Sequence, residues 1–274
     1  MPAAKAADEP AAPEAASERP FPLRTGVAEV VAVERPTPRM ARITLGGVVV
    51  AGFPDEEPGE ILTLIWPALG RDDVVLPLAG WRFPPGTPEQ HARNYSIRAY
   101  DPHRPAVTID VVLHGDGGQG SRWAGAVLPG DTVAIAGPRV HYETVPDADW
   151  TLLAGDETAL PSIAATIERL PAGHPVVAFV EVADAHERQD LCGDAALTLT
   201  WVDRQGVPAG RGHLLERAVR DAELPSGDPK VWVAGEALVV RRLREHLRDE
   251  RGYAIGPMQA IGYWKHRDTP DDVE

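Results

Sequence analysis

The chain reads as two domains: an N-terminal six-stranded antiparallel β-barrel, then a C-terminal α/β domain on a parallel sheet. Three observations predict this. From residue 22 to about 145, short strand-like runs are separated by Pro, Gly and Asp turns. After Trp150, strand runs alternate with helical stripes. Across the 274 residues, 27 Pro and 26 Gly favour many turns over long helices.

The barrel elements follow in order. "GVAEVVAVERPTPRMARITLGG" is two β-rich runs joined by Arg35-Pro36-Thr37-Pro38. "ILTLIWP" is a short apolar run closed by proline. "ARNYSIRAY" and "AVTIDVVLH" are two further strands divided by Asp101-Pro102, and "DTVAIAGP" is entered through Pro129-Gly130-Asp131. "GQGSRWAGAVL" interrupts them as one short helix. In the second half, "WTLLAGDETALPSIAATIERLP" goes strand, glycine turn, helix. Leu160, Ile163, Ala164, Ile167 and Leu170 recur at helical spacing. Pro161 suits a first turn, where its missing N–H costs nothing, and Pro171 stops the helix. "PVVAFVEV" and "ALTLTWV" are strands and "RGHLLERAVRDAEL" a helix. "KVWVAGEALVVRRLREHLRDERG" repeats strand, glycine, helix, with Ala237, Val240, Leu243 and Leu247 on one face. Parallel strands with helical crossovers follow from this alternation. The expected domains are 22–147 and 148–267, flanked by tails at 1–21 and 268–274.

The first twenty residues hold eight Ala and four Pro and offer almost nothing to bury, so a disordered tail is expected rather than a signal peptide. A net charge of −14 argues against nucleic acid and against an anionic membrane surface. The single Cys192 excludes an internal disulfide framework and a cysteine-ligated cluster. No apolar run reaches the roughly 18 residues of a membrane span. A cytoplasmic monomer is the expectation.

The stretch Arg93-Asn94-Tyr95-Ser96-Ile97-Arg98 places two arginines and a Tyr-Ser pair on one strand. A strand with a solvated face would carry them, and so would a strand that holds a flat anionic cofactor. The stretch resembles the R-x-Y-[ST] flavin signature of the ferredoxin–NADP reductase superfamily. Four more pieces accompany it: "DVVLHGDGGQGSRWA" (110–124), "PGDTVAIAGPR" (129–139), "LLAGDETALPSIA" (152–164), and "VWVAGEA" (231–237) with "IGYWKHR" (261–267). Together, in this order, they resemble the siderophore-interacting protein family, which includes ferric-siderophore reductases. The resemblance covers roughly residues 24 to 267.

The resemblance implies a flavin-binding barrel, a ferredoxin-reductase-like NAD(P)-binding domain and non-covalent FAD. It also implies NADH or NADPH as electron donor and a ferric siderophore as substrate. Arg93 would meet the flavin phosphates, where a planar guanidinium matches phosphate oxygens in pairs. Tyr95 would lie against the isoalloxazine, with Ser96, Ile97 and Arg98 near its edge. Asp110 and His114 match the family's D-x-x-x-H, with a minor cofactor contact for His114. Gly118, Gly120 and Ser121 would cradle the pyrophosphate at a helix start. The family usually reads Gly-Pro-Ala-Ser there, and without that proline the loop is looser. Thr158 would lie near both flavin and nicotinamide, and Trp264 would border the isoalloxazine.

On the nicotinamide side the resemblance points to Gly155, Asp156, Glu157, Glu181, Gly235 and Glu236. Asp156 and Glu157 are unwelcome beside phosphates, so binding there should be modest. Glu181, at a strand end, would accept from ribose hydroxyls and favour NADH over NADPH, or would simply be a solvated strand end. For the substrate, Lys265, Arg139 and Arg267 are the candidate cations. Lys265 to Arg267 would equally suit a solvated tail. Thr63 stands where many members carry a lysine facing the chelate, which weakens attraction to highly charged catecholates. A ferredoxin-type carrier as donor or acceptor, and a non-enzymatic siderophore-binding module, are the competing readings. No metal site and no acid, base or nucleophile is expected, because the flavin would carry the chemistry.

Overall fold

The computed structural model describes residues 24–53, 60–78, 82–115, 118–139, 148–254 and 258–266. The expected tails and Arg267 lie outside the described residues.

The barrel has six antiparallel strands: β1 (Arg24–Thr37), β2 (Met40–Gly46), β3 (Ile61–Trp66), β4 (His91–Asp101), β5 (Ala106–Val112) and β6 (Thr132–Arg139). They close in the order β1-β2-β5-β4-β3-β6. The long β1 makes closure possible by serving two neighbours. Its first half pairs with β6, from Arg24↔Gly137 to Glu29↔Thr132. Its second half pairs with β2 and turns at Pro38-Arg39, between Thr37 and Met40. Closure leaves no open sheet edge. Ile43, Leu45, Leu62, Leu64, Val107, Ile109 and Ile135 fill the interior and are buried. Helix α1 (Gln119–Ala126) lies between β5 and β6 and lends Ala124 to that core.

The second half carries β7 (Trp150–Gly155), α2 (Leu160–Arg169), β8 (Pro175–Val182), β9 (Ala196–Asp203), α3 (Leu214–Asp221), β10 (Pro229–Glu236), α4 (Ala237–Glu245) and β11 (Met258–Trp264). The five strands are parallel, in the order β11-β10-β7-β8-β9. Because β7 and β10 are covered on both faces, they read as continuous apolar runs rather than alternating ones. Leu152, Val231 and Val233 pack toward α3 and α4. Leu153, Trp232 and Ala234 pack toward α2, whose Leu160, Ile163 and Ile167 are buried as their spacing requires. Pro161 sits in the first turn of α2. The C-terminal "IGYW" forms the edge strand β11, a fifth strand for which the sequence offers only a short, glycine-broken run. After α4, residues His246–Glu250 wind as a π-helical turn that still buries Leu247.

One glycine explains the tight β7–α2 connection. A Cβ at Gly155 would lie 2.4 Å from the Ala159 Cβ and 2.5 Å from the Ala234 carbonyl oxygen. Only glycine lets α2 start this close to the sheet.

Polar contacts among the described residues hold the halves together, three of them prominent. The buried Glu187 carboxylate accepts from the Thr37 hydroxyl (2.6 Å) and the Arg39 amide (3.1 Å) at the β1–β2 turn. Arg98 on β4 forks onto Glu168 of α2 at 2.8 and 2.5 Å. Three hydroxyls meet between β4, α2 and β11, as described next.

Candidate flavin and substrate site

Strand alternation divides the R-x-Y-S stretch between two faces. Arg93 and Tyr95 stand opposite Leu64 and Leu62 of β3, whose side chains fill the barrel. Ile97 shares that face and is a core residue. Its amide is given to the Glu60 carbonyl at 2.7 Å, so the expected edge contact reduces to packing. Arg93 reaches the strand's exposed end, where its guanidinium bonds to the Ala92 carbonyl at 2.7 Å. It makes no ion pair among the described residues. The Tyr95 ring is half-buried below the start of α1. A Cβ at Gly120 would stand 1.8 Å from the Tyr95 hydroxyl oxygen, so glycine is what lets the helix start cross the ring. Burial pushes the Tyr95 phenol up to about 12, against the opposing charge of Arg93, and it stays a neutral donor.

Among the described residues, no side chain bonds to the first-turn amides of α1. Gly118 caps α1 with no side-chain hydrogen bond. First-turn N–H groups without a partner suit an anion. The residues present therefore fit a flavin nucleotide: an exposed guanidinium, an uncapped helix start and an aromatic ring converge at one end of the barrel.

Two neighbours of that end turn out to be internal. The Ser121 hydroxyl accepts from the His114 amide and donates to the Gly115 carbonyl, both at 3.0 Å. It staples the loop and has no proton left for a pyrophosphate. The Asp110 carboxylate forms a paired bond with Arg42 at 2.8 and 2.7 Å and holds β2 to β5. The His114 ring is exposed and lies against Gly118, where a Cβ would be 3.0 Å from it.

The opposite face of β4 presents Asn94, Ser96 and Arg98. Ser96 receives a 2.6 Å hydrogen bond from Ser162 of α2, and the Tyr263 hydroxyl lies 3.3 Å from both. Arg98, expected at the cofactor, is held by Glu168 and ties the domains instead. Beside this triad, Thr63 donates to the Asn94 side-chain oxygen at 2.7 Å. Arg139 from the neighbouring strand donates to Thr63 (3.0 Å) and Asn94 (2.9 Å). A guanidinium thus stands at the Thr63 position although no lysine does. Partial burial pushes the Arg139 pKa down.

At the carboxyl edge of the parallel sheet, the expected nucleotide residues bind each other. Asp156 is buried and accepts from four donors. Its Oδ1 takes the Thr158 amide (2.9 Å) and hydroxyl (2.5 Å), and its Oδ2 takes the Glu236 amide (3.1 Å) and the Trp264 indole (2.8 Å). Desolvation, with the nearby Glu157 charge, pushes its pKa up; the bonds from Thr158 and Trp264 oppose this. Gly235 leaves room for that carboxylate, since a Cβ there would be 2.7 Å from it. Glu157 forms a buried pair with Arg204 at 2.6 and 2.5 Å, and Arg204 also reaches Glu181 at 3.5 Å. Burial lifts Glu181 to about 7 despite Arg204; Asp156 and Glu157 add to the rise. Glu236 caps α4, accepting from the Leu238 and Val239 amides. Gly155 serves packing. Of the expected nucleotide residues, the structure assembles these six and Thr158 at one edge, yet Asp156, Glu157 and Glu236 face inward.

Trp264 does not face Ser96. Successive residues of β11 point to opposite sides, so Tyr263 meets Ser96 while Trp264 meets Asp156, Gly210 and His266. His266 bonds to the Ala209 carbonyl at 2.9 Å and anchors the end of the strand. Lys265 is exposed beside it.

Sequence reasoning missed Ser162, Tyr263, Asn94, Arg204 and Glu187. Ser162 and Tyr263 lay inside quoted motifs, but nothing in linear spacing pairs them with Ser96, 66 and 167 positions away. Arg204 follows two residues after the predicted strand "ALTLTWV", which placed it at the same edge as Glu181. Among the described residues, no helix is long and apolar enough to cross a membrane, and no group of three His, Cys, Asp or Glu side chains is placed to hold a metal ion.

Comparison with known proteins yields consistent matches for both halves. Residues 29–142 match the siderophore-interacting FAD-binding domain, and residues 148–267 match the siderophore-interacting protein family. The structure superposes on that of a siderophore utilization protein from T. fusca with a TM-score of 0.84 and 38% identity, covering 94% of this chain and 98% of the other. The ferric vibriobactin reductase ViuB of Vibrio cholerae is 29% identical over 231 residues, 82% of this chain and 84% of its own. The NADPH-dependent ferric-chelate reductase of Escherichia coli is 29% identical over 249 residues, 88% of this chain and 93% of its own.

Proposed function

The chain belongs to the siderophore-interacting protein family, and from that premise we propose that it is an FAD-dependent ferric-siderophore reductase. The observation that carries the reading is the Tyr95–Gly120 contact beneath an uncapped helix start, with the Arg93 guanidinium exposed at the same end. When bound, FAD would accept two electrons from a nicotinamide or a carrier and pass them singly to siderophore-bound Fe(III).

The chain's own residues supply position. Arg93 and the α1 amides bind the phosphates. Tyr95 backs the ring, and Ser96 meets its polar edge. His114 and Gly118 border the loop, while Asp110, Ser121 and Ile97 stiffen the frame. Arg139, braced by Thr63 and Asn94, faces the chelate, with Lys265 and Arg267 as further cations. Reduction to Fe(II) releases the metal because hard oxygen ligands hold the less charged ion poorly.

The donor divides the reading. NADH or NADPH would sit at the edge lined by Gly155, Thr158, Glu181 and Gly235. A ferredoxin-type carrier is the second reading. It is favoured by the internal pairing of Asp156, Glu157 and Arg204, which leaves few groups there to meet a pyrophosphate. Anaerobic Fe(II) release from hydroxamate, catecholate and citrate chelates, driven by NADH, NADPH or a reduced ferredoxin, tests both. Release with at least one donor supports the reductase. Binding of chelates by a protein that takes up no flavin would replace it with a binding module.

A further inference from the structure

We propose that Ser162 and Tyr263 are positioning residues that hold the Ser96 hydroxyl as a proton donor toward the polar ring edge of the flavin, an inference that rests on the flavin reading above. Three hydroxyls from three separate elements meet where the domains join: Ser96 of β4, Ser162 of α2 and Tyr263 of β11. Ser96 and Ser162 are 6% and 1% exposed, so their partners must come from the protein or a ligand.

Each hydroxyl has one proton and two lone pairs. The short side of the triangle is the Ser162 donation to Ser96 at 2.6 Å. With its proton used there, the Ser162 oxygen accepts from the Tyr263 hydroxyl, 3.3 Å away. Burial pushes the Tyr263 phenol up, so it retains the proton to donate. The Ser96 proton then has two destinations. One is the Tyr263 oxygen at 3.3 Å, longer than the roughly 2.5–3.0 Å of a good O–H···O bond. The other is an acceptor on a ligand that reaches Ser96 through the small part of its surface left open. A ring nitrogen or carbonyl at ordinary distance wins. The result is a one-way chain, Tyr263 to Ser162 to Ser96 to ligand, in which each donation polarises the next.

The test uses the full chain with Ser96→Ala, Ser162→Ala, Tyr263→Phe and the double variant S96A/S162A. FAD affinity is read by fluorescence titration, the visible band of bound flavin by absorption, and folding by thermal melting. Each single variant is expected to weaken FAD binding about fivefold, the scale of one hydrogen bond, and to shift the visible band in the same direction. Because Ser162 acts through Ser96, S96A/S162A is expected to match S96A. Wild-type affinity and spectrum in folded S162A and Y263F overturn the inference, as do losses in the double variant that simply add. Failure of the wild-type chain to take up FAD overturns the flavin reading itself.

Discussion

The hydroxyl of Tyr95 occupies the space that a side chain at position 120 would need: a Cβ there would lie 1.8 Å from the oxygen but 3.2 Å from the ring carbon that bears it. The two residues belong to different elements, β4 and α1, and their contact sets how closely the helix start crosses the barrel mouth. Gly120→Ala is therefore expected to push the ring aside and lower FAD affinity about tenfold. Tyr95→Phe in the G120A background removes the oxygen and leaves an ordinary tight contact, so it should recover part of the loss. Fluorescence titration of the single and double variants checks this; an unchanged affinity in G120A refutes it.

Glu187 fixes the barrel to the α/β domain from a buried position. Glu187→Ala leaves the Thr37 hydroxyl without its acceptor and the Arg39 amide partly unsatisfied, at a cost of about 1–3 kcal/mol. Arg98→Ala, breaking a pair that is partly exposed, should cost about 1 kcal/mol or less. Urea melts followed by far-ultraviolet circular dichroism rank the two. A larger effect for Arg98 contradicts the assignment.

Glu181 makes stability depend on pH. Its folded pKa of about 7 lies above its ordinary value of 4.5, so the native state binds more protons than the unfolded chain between those values. The contribution is fully present below about pH 4.5 and is lost as pH rises through 7. Glu181→Gln removes the titration, and the decline of melting temperature across this window should flatten. Parallel melting curves for wild type and E181Q at pH 4.5, 6 and 8 would rule it out.

Arg139 brings its charge to the Thr63 position. Arg139→Gln should raise the dissociation constant of an anionic ferric chelate about tenfold at low ionic strength and little at 1 M salt, where screening reaches about 3 Å. A neutral ferric hydroxamate should bind nearly unchanged. Quenching titrations with both chelates make the comparison. Equal losses for both would assign Arg139 to packing rather than charge.

How much of this was legible beforehand follows from where the information lies. Leu160, Ile163 and Ile167 announced α2 because helical burial has a fixed spacing, and the buried runs of β8 and β10 announced a covered parallel sheet. The R-x-Y-S stretch falls on β4, where Tyr95 meets Gly120 of α1. What stayed hidden was pairing. Nothing local tells Asp156 that its partners are Trp264 and the Glu236 amide, so a turn carboxylate read as a nucleotide contact. Ser121 and Asp110 likewise have internal partners that no local pattern announces. Trp264 and Tyr263 exchanged places because β11 was not recognised as a strand, and without strand alternation there was no reason to prefer one aromatic over the other.

The meeting of Ser96 with Tyr263 has a consequence for how the molecule is made. Synthesis delivers the barrel first, and a nascent chain that has finished β6 carries Ser96 with neither of its companions. Ser162 arrives with the first helix of the second domain, and Tyr263 only with the eleventh strand. The interdomain hydroxyl group is therefore completed late in the birth of this polypeptide, and a ribosome stalled after α4 would present a finished barrel whose Ser96 still lacks Tyr263.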